Sequence, residues 1–288
     1  MRLICLLPYP LIRTSGRLIG LALYPFATRR RLIAETNLQL CLPELGATQR
    51  RALIRSHFMA LAQGLVETGM AWWWPQARLE RLLKGVEGLE HLTSSSDSRG
   101  TIWLTAHFSS LELSGRYLGA RKPSAAMYRR NENPVIEYLI TRHRGRHLLD
   151  VIARDDARSM IRTLKQGSSV WFAPDQNYAH KGKVFANFMG LPAATHTATS
   201  RFARTTGARV IPFVLFRVKG GYHLRIEPPL DDFPSKDPQR DAERINEIFA
   251  SWVRRYPEQY NWIHRRFKTR PDGGPPPYPA RRPKRHRG

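Results

Sequence analysis

The chain has 288 residues, enough for one sizeable hydrophobic core, and α/β domains of this length commonly remain single. A hydrophobic fraction of 42% excludes wholesale disorder. The 47 Lys and Arg residues outnumber the 23 Asp and Glu residues and give a net charge of +24, which points to nucleic acid, an anionic membrane surface or an acidic protein as partner. The two cysteines, Cys5 and Cys41, exclude a disulfide framework, and no spacing resembles a zinc site.

The first 26 residues are rich in Leu, Ile, Tyr and Pro, but prolines and arginines interrupt the apolar run. No stretch approaches the roughly 20 apolar residues that a bilayer-spanning helix needs, and a secretory signal also fits poorly. One interpretation is an in-plane interfacial anchor, followed by Arg29, Arg30 and Arg31 at the lipid phosphates. The other is a buried core segment.

Helical spacing of apolar residues predicts a helix over 48–74, with Thr48 as N-cap and Pro75 as the stop. The run Trp72, Trp73, Trp74 suits a membrane interface or a large apolar groove, or else packing in an ordinary core. Beyond a Ser-rich turn at 94–98, strands are predicted at 101–106, 124–128, 149–153, 169–173, 209–216 and 222–226. Helices are predicted at 109–118, 134–144, 155–166 and 239–254, and a further helix is predicted to end near 206. This alternation predicts an α/β fold: a mostly parallel central sheet flanked by helices, after a helical N-terminal part.

A histidine, His107, directly follows the apolar strand at 101–106, where open α/β sheets place their chemistry. Glu112 lies five residues later, so the two side chains can meet only if His107 is in the turn and Glu112 in the first helical turn; Ser109 as N-cap predicts that arrangement. A carboxylate there can fix the imidazole tautomer while the other ring nitrogen takes a hydroxyl proton. The alternative is a capping box, in which Glu112 only holds the helix start.

Seven stretches together resemble the lauroyl/myristoyl transferases of lipid A biosynthesis, a family within the lysophospholipid acyltransferase superfamily. They are LPYP at 7–10, NLQLCLPE at 37–44, ETGMAW at 67–72, HFSSLEL at 107–113, YR at 128–129 with NP at 133–134, APDQ at 173–176, and PEQYNWIHRRFKTRP at 257–271. The likeness spans about 7–272 and is greatest to the Kdo2-lipid IVA lauroyltransferase branch. It implies a glycerol-3-phosphate acyltransferase-like fold.

The resemblance implies a secondary acyltransferase at the cytoplasmic face of the inner membrane, without metal or cofactor. An acyl chain, lauroyl or similar, would pass from acyl carrier protein to a hydroxyl of a 3-hydroxyacyl chain on Kdo2-lipid IVA or a similar precursor. His107 would act as general base and Glu112 as its partner. The acidic carrier, the phosphorylated precursor and the anionic membrane surface would all be attracted to a +24 protein.

Substrate contacts are expected from basic and polar residues that follow strands. Arg129 and Arg154 are candidates for the acceptor phosphate because guanidinium groups match phosphate bidentately; solvated surface charge is the alternative. Asp175, next to Gln176, orders the site loop or contacts the acceptor, or else forms an Asx turn. The block around Arg265 and Arg266 grips headgroups or carrier protein, or is a solvated basic face.

The expected division is a membrane-associating segment at 1–34, an acyltransferase domain at 35–270 and a disordered basic tail at 271–288. One rival function is a glycerolipid or lysophospholipid acyltransferase that uses the same dyad. A basic nucleic-acid-binding protein is the non-enzymatic rival, but the sequence has no helix-turn-helix, zinc-finger or aromatic RNP signature, so no nucleic acid is expected as partner.

Overall fold

A computed structural model describes residues 2–93 and 99–280. The helices are α1 (Tyr9–Leu23), α2 (Thr28–Cys41), α3 (Ala47–Trp73), α4 (Gln76–Glu80), α5 (Glu90–Thr93), α6 (Leu111–Arg121), α7 (Pro134–Arg144), α8 (Ala157–Lys165), α9 (Ala198–Thr206) and α10 (Pro238–Arg255). The strands are β1 (Leu83–Glu87), β2 (Thr101–Leu104), β3 (Ser124–Tyr128), β4 (Val151–Ala153), β5 (Ser169–Phe172), β6 (Lys183–Phe188), β7 (Leu191–His196), β8 (Arg209–Val218) and β9 (Gly221–Ile226).

Seven strands form the central sheet in the order β1-β9-β8-β2-β5-β3-β4. β8, β2, β5, β3 and β4 run parallel, β9 is antiparallel to β8, and β1 is parallel to β9. The predicted α/β architecture with a mostly parallel sheet is therefore confirmed.

The strand β2 lies in the middle of this sheet and is buried on both faces. Ile102 and Leu104 pack into one apolar cluster, whereas Trp103 packs into a second. Because successive side chains of a strand point to opposite faces, helices must cover both sides of the sheet. The chain leaves this middle strand at Leu104, three residues before His107.

The first helix, α1, packs along α3 through two glycines. A Cβ on Gly16 would lie 2.8 Å from Gln63 Cα, and one on Gly20 would lie 2.5 Å from the Phe58 carbonyl oxygen. Only glycine permits this approach of two helix backbones, so α1 is held against the domain on one side. Its other side carries exposed leucines. In the described part of the chain, no helix combines the length and apolar character needed to cross a bilayer.

Most predicted elements are present, and the strand at 124–128 and the helix at 134–144 have the predicted bounds. The sequence missed β1 and the antiparallel hairpin β6–β7, which lies between the predicted strand at 169–173 and the predicted helix that ends near 206, where no strand was predicted. Its turn residues, Met189 and Gly190, adopt φ values of 53° and 88°. They lack the Asn-Gly or Asp-Gly signature of common hairpins, and the hairpin was missed for that reason.

The prediction of a disordered basic tail at 271–288 is wrong for its first part, 271–280. Within residues 271–280 the chain packs back on the domain at Tyr278, which is buried, donates a hydrogen bond to Asn37 Oδ1 (2.6 Å) and accepts one from the Phe267 amide (2.9 Å). A buried aromatic ring with a paired hydroxyl holds the segment in place. The rest of the predicted tail, 281–288, and the Ser-rich turn at 94–98 lie outside the described residues.

Candidate active site

His107 and Asp175 meet because their strands are neighbours. His107 follows β2 and Asp175 follows β5, and these parallel strands pair in register from Thr101 with Ser169 to Leu104 with Phe172. Their carboxyl ends therefore open at the same edge of the sheet, the usual place for a site in an open α/β fold.

The Asp175 carboxylate holds His107 at two points. Oδ1 lies 2.5 Å from ring Nδ1, and Oδ2 accepts the His107 backbone amide at 3.1 Å. The aspartate side chain is only 3% exposed, whereas the imidazole is 29% exposed. The buried Asp175 carboxylate thus fixes both the backbone and the ring orientation of His107.

The charges of the pair support each other. Burial lowers the pKa of His107, but the charge and hydrogen bond of Asp175 outweigh burial, so the pKa of His107 is raised above its usual value. Burial likewise raises the pKa of Asp175, but His107 outweighs it and holds that pKa below its usual value. An ionised Asp175 accepts from Nδ1–H, which leaves the Nε2 lone pair free to take a proton.

The structure corrects the predicted role of Glu112 at this site. The hydrogen bond expected between Glu112 and His107 is wrong, because the Glu112 carboxylate pairs with Arg144 through both Nε (3.1 and 3.3 Å) and Nη2. The helix α6 begins at Leu111 with Ser110, not Ser109, as its N-cap residue. Glu112 lies in the first turn, as predicted, but faces the end of α7, where a guanidinium fork matches its two oxygens.

The C-terminal segment clamps the His107 loop. The Ser109 amide donates to the Gln259 carbonyl oxygen (2.8 Å), and the Asn261 amide donates to the His107 carbonyl oxygen (3.0 Å). On the opposite side, a Cβ on Gly64 of α3 would lie 1.9 Å from the Ser109 carbonyl oxygen. The loop is therefore fixed from two directions by segments far apart in sequence.

A buried ion pair supports this loop from the core. Arg217 of β8 donates from Nε to Glu67 Oε1 (2.6 Å), and the Tyr222 hydroxyl donates to the same oxygen (2.7 Å). Arg217 Nη1 also reaches Ser109 Oγ (3.2 Å), and the Gln259 side chain bonds both the amide and the carbonyl of Arg217. A buried pair with its remaining groups satisfied resists displacement, because breaking it leaves an uncompensated charge.

The two arginines expected at the acceptor phosphate lie on the surface. Arg129 is 64% exposed and pairs with Glu132 (2.8 Å). Arg154 is exposed, and its backbone amide donates to Tyr128 at the end of the neighbouring strand. Neither makes a described contact with His107. Gln176 is half-buried in the loop after β5.

The basic block at the C-terminus divides into differently placed residues. Arg265 is half-buried, and its Nη2 donates to the Pro279 carbonyl oxygen (2.8 Å). For Arg266 the exposed-surface interpretation is wrong: 3% of the residue is exposed, and its guanidinium donates to the Ala194 carbonyl and to Thr195 Oγ1, both at 2.8 Å. Arg266 therefore fixes the β6–β7 hairpin rather than reaching solvent.

The tryptophans of the run at 72–74 also have different surroundings. Trp74 is buried, and its indole Nε1 donates to the Cys5 carbonyl oxygen (2.7 Å), which is the expected core role. Trp72 stacks on His143, with ring centroids 4.7 Å apart and planes at 5°. One residue of the run therefore fastens the N-terminus, and another meets the end of α7.

Sequence reasoning missed Arg144 and Arg217, and gave Asp175 no role toward His107. The signal for Asp175 was present, since it also ends a strand; what was missing is that β5 pairs with β2. No local pattern marks Arg217 as the partner of Glu67, because the two are 150 positions apart. Among the described residues, no group of three or more His, Cys, Asp or Glu side chains is arranged to hold a metal ion.

A partly exposed imidazole oriented by a buried carboxylate can accept a proton from an alcohol and return it to a leaving group. Residues 1–269 match the family model described as "Bacterial lipid A biosynthesis acyltransferase". The Escherichia coli K12 lipid A biosynthesis palmitoleoyltransferase is 41% identical, over 93% of this chain and 88% of its own. The lauroyltransferase of the same organism is 39% identical, over 96% and 91%.

A lipid A biosynthesis acyltransferase from Haemophilus influenzae is 35% identical, over 94% of this chain and 88% of its own. The solved structure of the 1-acyl-sn-glycerophosphate acyltransferase from Thermotoga maritima matches with a TM-score of 0.42 and 19% identity, over 85% of this chain and 98% of that chain. The resemblance read from the seven sequence stretches is confirmed: the chain is an acyltransferase and belongs to the bacterial lipid A biosynthesis acyltransferase family.

Proposed function

We propose that this acyltransferase moves a fatty acyl chain from an acyl carrier protein thioester to a hydroxyl of a 3-hydroxyacyl chain on Kdo2-lipid IVA or a similar lipid A precursor. The observation that carries the proposal is the 2.5 Å contact between His107 Nδ1 and Asp175, which leaves Nε2 as an oriented base. The names of the relatives supply the class of acceptor.

In the proposed reaction His107 Nε2 removes the proton of the acceptor hydroxyl as its oxygen attacks the thioester carbonyl carbon. The new C–O bond forms, the C–S bond breaks, and the imidazolium returns the proton to the departing thiolate. Asp175 stabilises the imidazolium between these two steps, because its carboxylate is ionised and in contact with Nδ1.

The Glu112–Arg144 pair acts on His107 through Arg144 in this proposal. The positive charge of Arg144 lowers the pKa of His107, against the larger effect of Asp175. Glu112 neutralises part of that charge and fixes the guanidinium in place. Glu112 would thus be a positioning residue rather than the direct partner of His107.

The proposed membrane contact is the apolar face of the N-terminal region, made of Leu3, Leu6, Leu11, Leu18, Leu23 and Phe26, each more than half exposed. Gly16 and Gly20 hold α1 against α3, so this helix lies along the domain with its leucines outward. A helix of this kind binds in the headgroup region, in the plane of the membrane, while nearby arginines meet lipid phosphates. We infer attachment to the cytoplasmic face of the inner membrane.

The acyl donor is expected to be recognised by charge. Acyl carrier protein is acidic, and the chain has a net charge of +24. The identities to the palmitoleoyltransferase and the lauroyltransferase, 41% and 39%, are nearly equal. Competition between lauroyl and palmitoleoyl carrier protein in one reaction would therefore decide the preferred chain.

The test is acyl transfer by the purified protein in detergent micelles, with acyl carrier protein as donor and product masses as readout. We expect His107→Ala to lose all measurable transfer, and His180→Ala, which removes an exposed histidine before β6, to keep it. Full activity of His107→Ala would end the proposed mechanism. Offering a lysophosphatidate acceptor in parallel tests the rival glycerolipid function, which predicts transfer to that acceptor instead.

A further inference from the structure

The C-terminal segment bonds both loops of the candidate site. Its first part, 259–261, holds the loop at His107 through backbone hydrogen bonds. Farther along the same segment, His264 Nε2 accepts the Asn177 amide at 3.0 Å. Asn177 lies two residues after Asp175, in the loop that follows β5. A single stretch of chain therefore touches the two loops whose side chains meet at the base.

The side chain of Asn177 is bound by this segment as well. Its Nδ2 donates to Thr269 Oγ1 at 3.1 Å, and its Oδ1 accepts the Thr269 amide at 3.0 Å. The next residue, Tyr178, donates its amide to the Ala194 carbonyl oxygen at 3.2 Å. The loop that follows Asp175 is thus fixed close to the carboxylate that it carries.

The hydrogen bond at His264 determines where that imidazole carries its proton. A backbone amide can only donate, so Nε2 must offer a lone pair, and a neutral His264 bears its proton on Nδ1. Burial lowers the pKa of His264 to about 4. The charge of Asp175 raises this pKa in part, and the charges of His107 and Arg266 lower it further. His264 therefore remains a neutral acceptor near pH 7, also when His107 becomes an imidazolium.

The backbone of His264 is anchored to α2. The buried Asn37 donates from Nδ2 to the carbonyl oxygens of Trp262 (2.6 Å) and His264 (2.7 Å), and its Oδ1 accepts from the Tyr278 hydroxyl. Because these bonds are shielded from water, they hold the segment firmly against the domain. The acceptor atom of His264 is consequently in place to hold the Asn177 amide.

We propose that His264 is a positioning residue: by accepting the Asn177 amide it fixes the loop of Asp175, and Asp175 in turn orients the ring of His107. The inference rests on the proposed function, in which His107 is the base. Asp175 contacts His107 at 2.5 and 3.1 Å, so a small displacement of its loop changes both contacts. A histidine suits this place because a carboxylate, the other strong acceptor, would add a second negative charge near the pair.

The direct test is the pKa of His107, measured by NMR titration of the imidazole signals of the full-length protein in detergent micelles. His264→Phe keeps an aromatic ring but has no acceptor, and it removes no charge because His264 is neutral. We expect the pKa of His107 to fall by roughly 1, the lower end of the effect of a nearby opposite charge, as the Asp175 contact loosens. In acyl transfer, kcat should fall about 10- to 100-fold and KM should change less than about threefold.

The conservative variant is His264→Gln, because its side-chain carbonyl oxygen can accept the Asn177 amide in place of Nε2. It should keep the wild-type pKa of His107 and most of the activity. In an Asp175→Asn background, His264→Phe should cause no further fall in that pKa, since the charge through which it acts is already absent.

The matched control is His223→Gln, which replaces a half-buried histidine of β9 that pairs with Glu87 at 3.3 Å and should leave the pKa of His107 unchanged. Thermal unfolding shows whether each variant is folded. Thr269→Val is the second variant: it removes the acceptor of Asn177 Nδ2 and should lower the pKa of His107 by a smaller amount.

An unchanged pKa of His107 in His264→Phe, or in Thr269→Val where His264→Phe does not fold, would overturn the proposal. Equal falls in His264→Phe and His264→Gln would overturn it too, because the acceptor would then have no role. If the pKa falls as expected while wild type transfers no acyl chain, the positioning of His107 stands and the proposed function fails.

Discussion

Asp175 contacts His107 directly and Glu112 acts on it through Arg144, so loss of either carboxylate predicts different behaviour. Asp175→Asn removes the charge that raises the pKa of His107 and leaves burial, which lowers it. Since the neutral imidazole is the base, activity rises with pH through this pKa. We expect the acidic limb of kcat/KM to have its midpoint above 6.5 in wild type and lower in Asp175→Asn, with kcat down roughly 10²–10⁴-fold.

Glu112→Gln is the matched comparison, because it removes the other carboxylate charge. It frees Arg144, whose charge then lowers the pKa of His107 further, but it leaves the Asp175 contact intact. The acidic limb should therefore move less than in Asp175→Asn. A larger pH shift in Glu112→Gln than in Asp175→Asn would contradict the assignment of Asp175 as the partner.

A single glycine of α3 determines how closely the His107 loop approaches that helix. In Gly64→Ala the new methyl group would meet the Ser109 carbonyl oxygen at 1.9 Å, so the loop or the helix must shift. We expect a destabilisation of about 1–3 kcal/mol, typical of overpacking, and a fall in kcat larger than the change in KM. Thermal unfolding and steady-state kinetics measure the two effects.

The control for Gly64→Ala is Gly46→Ala at the start of the same helix. There the nearest atom to an added Cβ is Gln49 Oε1 at 3.6 Å, an ordinary contact. This variant should keep wild-type kinetics. If Gly64→Ala behaves the same way, the close approach of α3 does not position the loop.

At the scale of elements, the sequence predicted what depends on local pattern. Apolar runs bounded by turns identified β2, β3 and β5, and helical spacing with a Pro stop identified α3 within a residue or two. The hairpin β6–β7 was missed not only for its unusual turn but also because β7 contains a proline, two alanines and a single β-branched residue, Thr195.

The site was predictable only in part, for a related reason. His107 follows a strand in the sequence itself, so its place at the sheet edge could be inferred. The partner could not, because the order of strands in a sheet depends on contacts distant in sequence. Glu112, five positions away, was the nearest carboxylate along the chain, whereas Asp175, 68 positions away, is the one in contact.

The exposed leucines of α1 are expected to contribute to membrane binding. The double variant Leu18→Glu with Leu23→Glu places charges on the exposed face and touches none of the contacts that Gly16 and Gly20 make with α3. We expect partitioning to phospholipid vesicles to fall at least tenfold, since burying one leucine contributes about 1.5–3 kcal/mol. Vesicle flotation measures the bound fraction.

The comparison variant is Leu89→Glu, which charges an exposed leucine that lies between β1 and α5 instead of on α1. It should partition like wild type. A similar loss in both variants would point to a general effect of added negative charge, and the face on α1 would then have no special role.

At the scale of the whole molecule, the excess of positive charge is not consumed internally. Most of the described ion pairs join one basic to one acidic side chain, and the 47 Lys and Arg residues outnumber the 23 Asp and Glu residues, so many basic side chains have no acidic partner within the chain. Such a field raises association rates at low salt and fades as the Debye length falls from about 10 Å at 0.1 M to 3 Å at 1 M.

We therefore expect the association rate with vesicles containing phosphatidylglycerol to fall at least tenfold between about 0.05 and 0.5 M salt. By contrast, kcat at saturating substrate should change little, because the His107–Asp175 contact is short and shielded from bulk ions by the buried carboxylate. Stopped-flow mixing measures the first quantity and steady-state kinetics the second. A variant that ends at Ala280 lacks the basic end of the sequence and should show a shallower salt dependence. An association rate independent of salt would mean that apolar insertion, not charge, brings the enzyme to the membrane.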